Sequence, residues 1–273
     1  MYRKKLILAF MTFTLLGMTS ISAFADLILS APPRGKAEDE QKIYVPMAVY
    51  ISKLIGQKVV YKHPGEWGIY QANMQTGKYD IVFDGPHFVA WRMSRKDHEV
   101  LATTPGNLSF VVVVRSQSER FKQLRDLRGR SVCGMAPPNL ATLMLMNEVG
   151  VGHEPRLVLA KSFNDAFEKM LAGECDGAVL RDKTYDKLLK KHKNVSREIF
   201  RSKGLPNQAI TASKNLTTDE KDLLKNGLLS AEAMAAMPAF MEKYTGKKGL
   251  RKAESRNYLG VEALLKDIWG FGI

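Results

Sequence analysis

The sequence contains few cysteines and few histidines, and the spacing of both argues against metal and redox chemistry. Among 273 residues there are two cysteines and five histidines, and the histidines are scattered at positions 63, 87, 98, 153 and 192. Histidines that share a metal ion usually recur at short, regular spacings, which this sequence does not show. Without a CxxC pair, redox catalysis by the cysteines is not expected either. We therefore predict neither a bound metal nor another cofactor.

The common catalytic and nucleotide-binding motifs are also missing. The sequence has no GxSxG nucleophile elbow, no HExxH and no GxxxxGK[ST] phosphate-binding loop. Its aromatic residues do not alternate with a basic stripe, as a platform for single-stranded nucleic acid requires. These absences predict a protein that is not an enzyme and does not bind nucleic acid.

Long apolar runs are absent except near the amino terminus. Arg3-Lys4-Lys5 precede an apolar run of about 13 residues, Leu6 to Met18, and Ala23-Phe24-Ala25 precede Asp26. A bilayer requires about 20 apolar residues, and the small residues match the site that signal peptidase cleaves. The first cysteine is Cys133, so no lipid anchor is expected at the cleavage point. The pattern predicts a cleaved signal peptide, 1–25, and a soluble mature chain in the periplasm.

Positive charge is in excess. The formal net charge is +13, and about +10 remains once the three charges of the leader are removed. Such a surplus attracts anions, whether small ligands, nucleic acids or membrane surfaces. The alternative interpretation is a solvated basic surface that keeps the protein soluble. Export from the cytosol argues against nucleic acid as the partner.

Apolar strands alternate with helical patterns along the mature chain, which predicts parallel sheets with crossover helices. Two α/β units follow one another, and a helical segment ends the chain. The residues from Lys243 to Arg256 are interpreted as a basic surface loop. The expected strands are 26–31, 58–61, 79–83, 110–115, 131–133, 157–160, 177–180 and 209–212, and the expected helices are 37–55, 67–74, 87–93, 121–127, 139–149, 163–171, 184–191, 219–244 with a kink at Pro238, and 261–269.

Cys133 and Cys175 lie in the second α/β unit, at the end of one expected strand and the start of another. An oxidising compartment permits a disulfide between them. Two buried thiols are the alternative, and the spacing alone does not decide between them.

Several short motifs, taken in order, resemble one known family. They are Gly77 to Phe83 (GKYDIVF), Asp126 to Val132 (DLRGRSV), Gly173 to Ala178 (GECDGA) and Leu205 to Asn207 (LPN). Their succession over almost all of the mature chain is similar to that in the substrate-binding proteins of phosphate, phosphite and phosphonate ABC transporters.

The resemblance implies a type II periplasmic binding fold, an α/β fold of two lobes that are joined by hinge strands and close on a ligand. Each lobe is expected to contain a mostly parallel sheet flanked by helices. Lobe 1 is expected to comprise 26–112 plus 205–273, and lobe 2 to comprise 113–204. The resemblance also implies a monomer that works with a permease of the inner membrane.

Open α/β sheets bind ligands beyond the carboxyl ends of their strands, which selects the candidate residues of lobe 2. Pro138-Asn139 precede a helix start that favours anions, and Asn139 is also its natural N-cap. In phosphonate binders the next three positions carry hydroxyls, whereas here Leu140 and Ala141 are apolar and only Thr142 keeps one. The further candidates in lobe 2 are Lys161, Ser162 and Arg181.

Lobe 1 contributes its own candidates. Arg34 is suited to a bidentate contact with an oxyanion, and Trp67 lies where a pocket aromatic is expected. Asp84 follows the third strand and is interpreted as a partner of Arg34, a contact to the ligand or a helix cap; His87 is a ligand contact or an ordinary residue of the first helical turn. The return into lobe 1 adds Asn207 and Gln208.

These candidates lead to three hypotheses. The first is a transport receptor for a small anion, a phosphorus oxyanion by resemblance, with carboxylates and sulfonates as alternatives. The second is a sensory or accessory module that reports to a sensor kinase or assists a periplasmic redox system. The third is an exported enzyme, such as a prephenate-type dehydratase on the same fold, which needs a catalytic Thr or Ser constellation that the sequence does not show.

Overall fold

The structure is a computed structural model that describes residues 25–268, 270 and 271 of the chain. The predicted signal peptide therefore lies outside the described residues except for Ala25, and so does Trp269 at the end of the last predicted helix. Within the described part of the chain, no helix combines the length and the apolar character needed to cross a membrane.

Strands and helices alternate as predicted, and two sheets contain all the named strands. The strands are β1 (Leu27–Ser30), β2 (Val59–Tyr61), β3 (Ile81–Asp84), β4 (Glu99–Thr103), β5 (Phe110–Arg115), β6 (Ser131–Gly134), β7 (Arg156–Leu159), β8 (Gly177–Arg181), β9 (Ser196–Arg201), β10 (Ala209–Ala212) and β11 (Arg251–Lys252). The α-helices are α1 (Ala37–Ile55), α2 (Trp67–Gln75), α3 (Pro86–Lys96), α4 (Leu140–Val149), α5 (Phe163–Leu171), α6 (Asp182–Lys191), α7 (Thr218–Leu228), α8 (Ala231–Ala236) and α9 (Pro238–Phe240). A π-helical turn covers Met241–Thr245, and 3₁₀ helices cover Leu124–Leu127, Ser255–Asn257 and Val261–Leu265.

The first sheet has the strand order β11-β4-β10-β3-β1-β2, and the second has the order β7-β6-β8-β5-β9. In the first sheet β1 pairs in parallel with β2 and β3, and in the second β6 pairs in parallel with β7 and β8. The remaining pairs are antiparallel. The α/β class is confirmed, but the sheets are mixed rather than mostly parallel. The strands next to the two segments that connect the sheets are β4, β5, β9 and β10. They are not joined to their neighbours in the sheet by crossover helices, so they can pair antiparallel.

The chain crosses between the sheets twice, through 104–109 and 202–208. The two connecting segments are hydrogen-bonded to each other, with Leu108 N to Leu205 O at 2.9 Å and Leu205 N to Leu108 O at 2.8 Å. The division into lobe 1 (26–112 plus 205–273) and lobe 2 (113–204) stays a prediction.

The C-terminal region differs from the sequence prediction. The single helix expected over 219–244 is broken, because Ser230 starts a new helix by accepting a hydrogen bond from Ala233 N (3.1 Å), and Met237 leaves the helical conformation before Pro238. A proline disfavours helical backbone at the preceding residue, so the chain breaks there rather than bending. The last predicted helix is a 3₁₀ helix that ends at Leu265.

Three short strands were not predicted. β4 and β9 lie next to the crossings, and β11 lies at the edge of the first sheet within the stretch interpreted as a basic loop. β9, SREIFR, forms the edge of the second sheet, and three of its six residues are charged, which is common in edge strands.

Of the two alternatives for the cysteines, the structure shows the disulfide. Cys133 in β6 is bonded to Cys175, whose Cα lies 5.8 Å away. Both residues are buried among Phe167, Met170 and Leu180 in the core of the second sheet. The bond fixes the loop before β8 to the neighbouring strand, and β8 carries a candidate site residue at its end.

Candidate functional site

A cavity of about 380 Å³ lies between the two sheets, beyond the ends of β1 and β3 on one side and of β6, β7 and β8 on the other. Strand ends of this kind are where α/β sheets bind ligands. The structure brings seven of the candidate residues to this cavity. They are Arg34, Trp67, His87, Asn139, Lys161, Arg181 and Gln208.

Arg34 is held in the loop after β1. Its backbone N–H donates to Glu40 Oε1 (2.8 Å), which anchors the loop to the first turn of α1. The guanidinium donates to the Tyr44 hydroxyl (3.4 Å) and lies over the rings of Phe83 (5.4 Å) and Tyr244 (5.9 Å). Among the described residues it forms no ion pair, so its charge is oriented by aromatic rings but not compensated by a carboxylate.

Two further cations come from the second sheet. Arg181 is the last residue of β8, and its Nε is buried without a hydrogen-bond partner among the described residues. Burial lowers the pKa of Arg181, although the carboxylate of Asp182 opposes this shift. Lys161 follows β7, and its backbone N–H donates to Asp165 Oδ2 (2.7 Å). No aspartate or glutamate is among the described residues that line the cavity, which is therefore cationic.

Asn139 and His87 supply neutral polar groups. Asn139 caps α4 by accepting a hydrogen bond from Ala141 N (3.1 Å), as the sequence indicated. The His87 ring stacks on Phe88, and its Nε2 lies 3.1 Å from the Pro138 carbonyl oxygen across the cavity. Burial lowers the pKa of His87 to about 3, and the charge of Arg34 acts in the same direction. The ring is therefore neutral at neutral pH and donates from Nε2, which joins the two walls of the cavity.

Asp84 is not brought to the cavity. Its carboxylate accepts from Arg92 Nε (2.7 Å) and from the Tyr70 hydroxyl (2.5 Å), and both members of the ion pair are fully buried. The interpretations as a partner of Arg34 or as a helix cap are wrong: α3 begins after Gly85 without a side-chain cap. Arg92 was not among the predicted partners of Asp84, and it lies about two helical turns further along the chain.

Three other candidates are also directed elsewhere. The buried Thr142 hydroxyl donates to the Met135 carbonyl (2.6 Å), and Ser162 caps α5 by accepting from Asp165 N (3.2 Å). Asn207 donates to the Pro105 carbonyl (3.0 Å) and lines a neighbouring cavity of about 510 Å³. The reason is common to all three, since short polar side chains near strand ends readily satisfy nearby backbone groups. Ligand contact by any of the eleven candidates stays a prediction.

Sequence reasoning overlooked most of the wall. The cavity is lined largely by apolar residues that flank the strand ends, and the sequence motifs pointed to only three of them, Pro138, Leu140 and Ala141. The feature of the sequence that could have indicated these apolar lining residues is the apolar residue found next to nearly every candidate in the loops. They are Pro32, Pro33, Pro86, Phe88, Leu108, Phe110, Met135, Pro138, Leu140, Ala141 and Phe163.

In the described part of the chain, no group of three or more His, Cys, Asp or Glu side chains is arranged to hold a metal ion. The arrangement is instead suited to non-covalent binding of an anion, through two arginines, a lysine and neutral donors.

Solved structures with the same fold include several binding proteins. XAC2383 from Xanthomonas citri bound to ATP is 13% identical over 88% of this chain and 96% of its own, with a TM-score of 0.71. PhnD1 from Prochlorococcus marinus in complex with methylphosphonate is 18% identical over 88% of this chain and 97% of its own, with a TM-score of 0.67. The binding protein component of the ABC phosphonate transporter from Pseudomonas aeruginosa, PA3383, is 15% identical over 87% and 84%, with a TM-score of 0.60. These likenesses confirm the two-lobed type II periplasmic binding fold.

A search among curated protein sequences finds no match to the chain. The model of one family, described as the phosphonate periplasmic substrate-binding protein of an ABC transporter, matches residues 29–258. That match covers both sheets and every candidate site residue, so it confirms the family that the sequence motifs resemble. The chain belongs to the phosphonate-binding family of periplasmic substrate-binding proteins of ABC transporters.

Proposed function

We propose that the mature chain, 26–273, is the periplasmic solute-binding component of an ABC transporter and binds a small anion in the cavity between its lobes. The observation that carries the proposal is the convergence of Arg34, Lys161 and Arg181, from both sheets, on one cavity with no carboxylate among its described lining residues. Cations without a partner carboxylate favour an anionic ligand.

A phosphorus oxyanion is the proposed ligand class. Arginine binds such groups with paired N–H donors, and Asn139, His87 and Gln208 supply further polar contacts. The structures of PhnD1 with methylphosphonate and of XAC2383 with ATP both hold a phosphorus oxyanion on this fold, which supports the choice.

Transport requires only binding and closure. The hydrogen-bonded segments around Leu108 and Leu205 are the proposed hinge, and the permease recognises the lobes once they have closed on the ligand. The chain acts as a monomer and catalyses no reaction. Membership of the family supports this role over a sensory or accessory module.

Isothermal titration calorimetry of the mature chain tests the proposal. We expect saturable binding of phosphate, phosphite or methylphosphonate with one site per chain. Arg181→Gln and Arg34→Gln each remove a charged hydrogen bond, worth about 1.5–3 kcal/mol, and should weaken binding by about 10- to 100-fold.

The matched control is Arg128→Gln, at an exposed arginine before β6 that is not among the described lining residues. It should leave the affinity unchanged. The absence of heat and of any thermal shift with all of these oxyanions, in a chain whose circular dichroism shows it to be folded, would rule out the proposed ligand class.

A further inference from the structure

The walls of the cavity are unusually apolar for a site that holds only an oxyanion. Four aromatic side chains line the cavity. Trp67 and Phe88 lie on the side of the first sheet, and Phe110 and Phe163 lie on the side of the second. Trp67 is 40% exposed although its ring lies within 6.3 Å of the rings of Tyr70 and Phe88. A large aromatic surface that remains open to water beside a cavity is a surface that a ligand can cover.

The polar groups are confined to a few points. No serine, threonine or tyrosine is among the described residues that line the cavity, and the hydroxyl of the nearby Thr142 is already used by the Met135 carbonyl. A free oxyanion has oxygens on every side, and each needs a donor once water is removed. The walls offer Arg34, Lys161 and Arg181 for one anionic group. The remaining polar side chains among the described lining residues are Asn139, His87 and Gln208, of which Asn139 already caps α4 and His87 already bonds to the Pro138 carbonyl oxygen.

The size of the cavity leads to the same conclusion. Its volume of about 380 Å³ equals that of about a dozen water molecules, at roughly 30 Å³ each. Methylphosphonate has five heavy atoms and would leave most of this space to water against apolar walls. The two walls already touch at one point, through the hydrogen bond between His87 and the Pro138 carbonyl oxygen.

We propose that the ligand is an organic anion with an apolar body, such as an aryl or long-chain alkyl phosphonate or phosphate ester. The three cations of the cavity hold its anionic group, and the four aromatic side chains, here called the aromatic wall, cover its apolar body. This inference rests on the proposed function and specifies its substrate class. Pockets of this volume and character are typical of drug-sized ligands, which bury most of their surface.

A ligand series with a constant anionic group tests the proposal. Calorimetry should show phenylphosphonate binding about tenfold or more tightly than methylphosphonate, because each buried apolar carbon adds to the affinity. The heat-capacity change on binding should become more negative with the size of the apolar body, which is the mark of apolar surface removed from water.

Variants at the aromatic wall provide the second measurement. Trp67→Ala should reduce the ratio of the two affinities by about threefold or more. The control is Ile69→Ala on the same helix, since Ile69 is 52% exposed and is not among the described lining residues. That variant should keep the ratio of the parent protein.

The possible outcomes separate this inference from the proposed function. Tighter binding of methylphosphonate than of phenylphosphonate overturns the inference and leaves the proposed function standing. Failure of every oxyanion, large or small, overturns both. Equal binding of benzyl alcohol and phenylphosphonate shows that the anionic group is not recognised, which also overturns both.

Discussion

At the scale of single residues, Asp84 shows how burial changes the role of a charged side chain. Its partner Arg92 donates from Nε to Asp84 and from Nη2 to the Tyr70 hydroxyl (3.0 Å), so the pair is hydrogen-bonded as well as charged. The rings of Tyr70 and Tyr79 lie 5.7 and 5.8 Å from the guanidinium. Both side chains are fully buried, so solvent does not screen their charges and each depends on the other.

Removal of one partner of this pair should be costly. Arg92→Met leaves the Asp84 carboxylate buried without its cation, and we expect the free energy of unfolding to fall by about 3–5 kcal/mol in urea titrations. The double variant Asp84→Asn/Arg92→Met should recover part of that loss. A single variant as stable as the parent would show that the pair is not the structural element inferred here.

His98, between α3 and β4, should make stability depend on pH. Burial lowers the pKa of His98 from 6.5 to about 2, and the positive charges of Arg92 and Lys221 contribute to this shift. Its Nδ1 lies 3.0 Å from Thr211 Oγ1. The unfolded chain takes up a proton below about pH 6.5 while the native chain does not. The stability is therefore complete above pH 6.5 and falls as the pH decreases towards the folded pKa.

The size of this effect is about 2 kcal/mol per histidine between pH 7.5 and pH 5. Urea unfolding at both pH values should show a smaller loss of stability for His98→Asn than for the parent, since the variant has no proton to gain. His153→Asn, at an exposed position, controls for the substitution itself. An equal loss in His98→Asn and in the parent would contradict this assignment.

At the scale of elements, the fold could be predicted where the apolar pattern is strong. The buried run of β5 and the helical period of α1 gave both elements from the sequence, with Gly56 ending α1 in the left-handed conformation (φ 70°). The broken helices after Thr217 were missed because Ser230 acts as an N-cap inside an apolar helical pattern. Local capping decides such breaks, and periodicity does not register them.

The site was predictable only in part for a related reason. The loops after β1 and β3 of the first sheet and those after β6, β7 and β8 of the second sheet meet at one cavity, so the sequence could indicate which loops come together. Which side chain of each loop faces the cavity depends on local hydrogen bonds. Lys161 lines the cavity while its neighbour Ser162 caps α5, and nothing in their order along the chain decides between them.

The disulfide ties two elements of the second sheet and should contribute to stability. Cys133 and Cys175 are 42 residues apart, and a cross-link that closes a loop of this length contributes about 4 kcal/mol through the unfolded chain. Thermal unfolding of Cys133→Ala/Cys175→Ala should show a lower midpoint than the parent. A reducing agent should lower the midpoint of the parent but not that of the variant, and equal midpoints without reductant would contradict the prediction.

At the scale of the whole molecule, the positive charge continues from the cavity into a second one. This basic groove, of about 510 Å³, is lined by Lys183 and Lys187 of α6 and by Lys243 and Lys248 near the π-helical turn, with Glu242 as the only carboxylate among the described lining residues. Arg181 and Gln208 line both cavities, so the groove adjoins the proposed ligand site. None of the four lysines forms an ion pair with the described residues, and their fields add at the entrance.

The basic groove should therefore steer anions towards the site. In stopped-flow experiments that follow tryptophan fluorescence, the association rate constant for an anionic ligand should fall several-fold between about 20 and 300 mM NaCl, because salt screens exposed charges. At low salt Lys183→Ala should lower the rate by about twofold, with little change in dissociation. Lys193→Ala is the matched control, since Lys193 is also exposed but lies beyond the opposite end of α6, about 15 Å along the helix. Equal effects of the two variants would mean that the net charge acts as a whole and that the groove has no special part in capture.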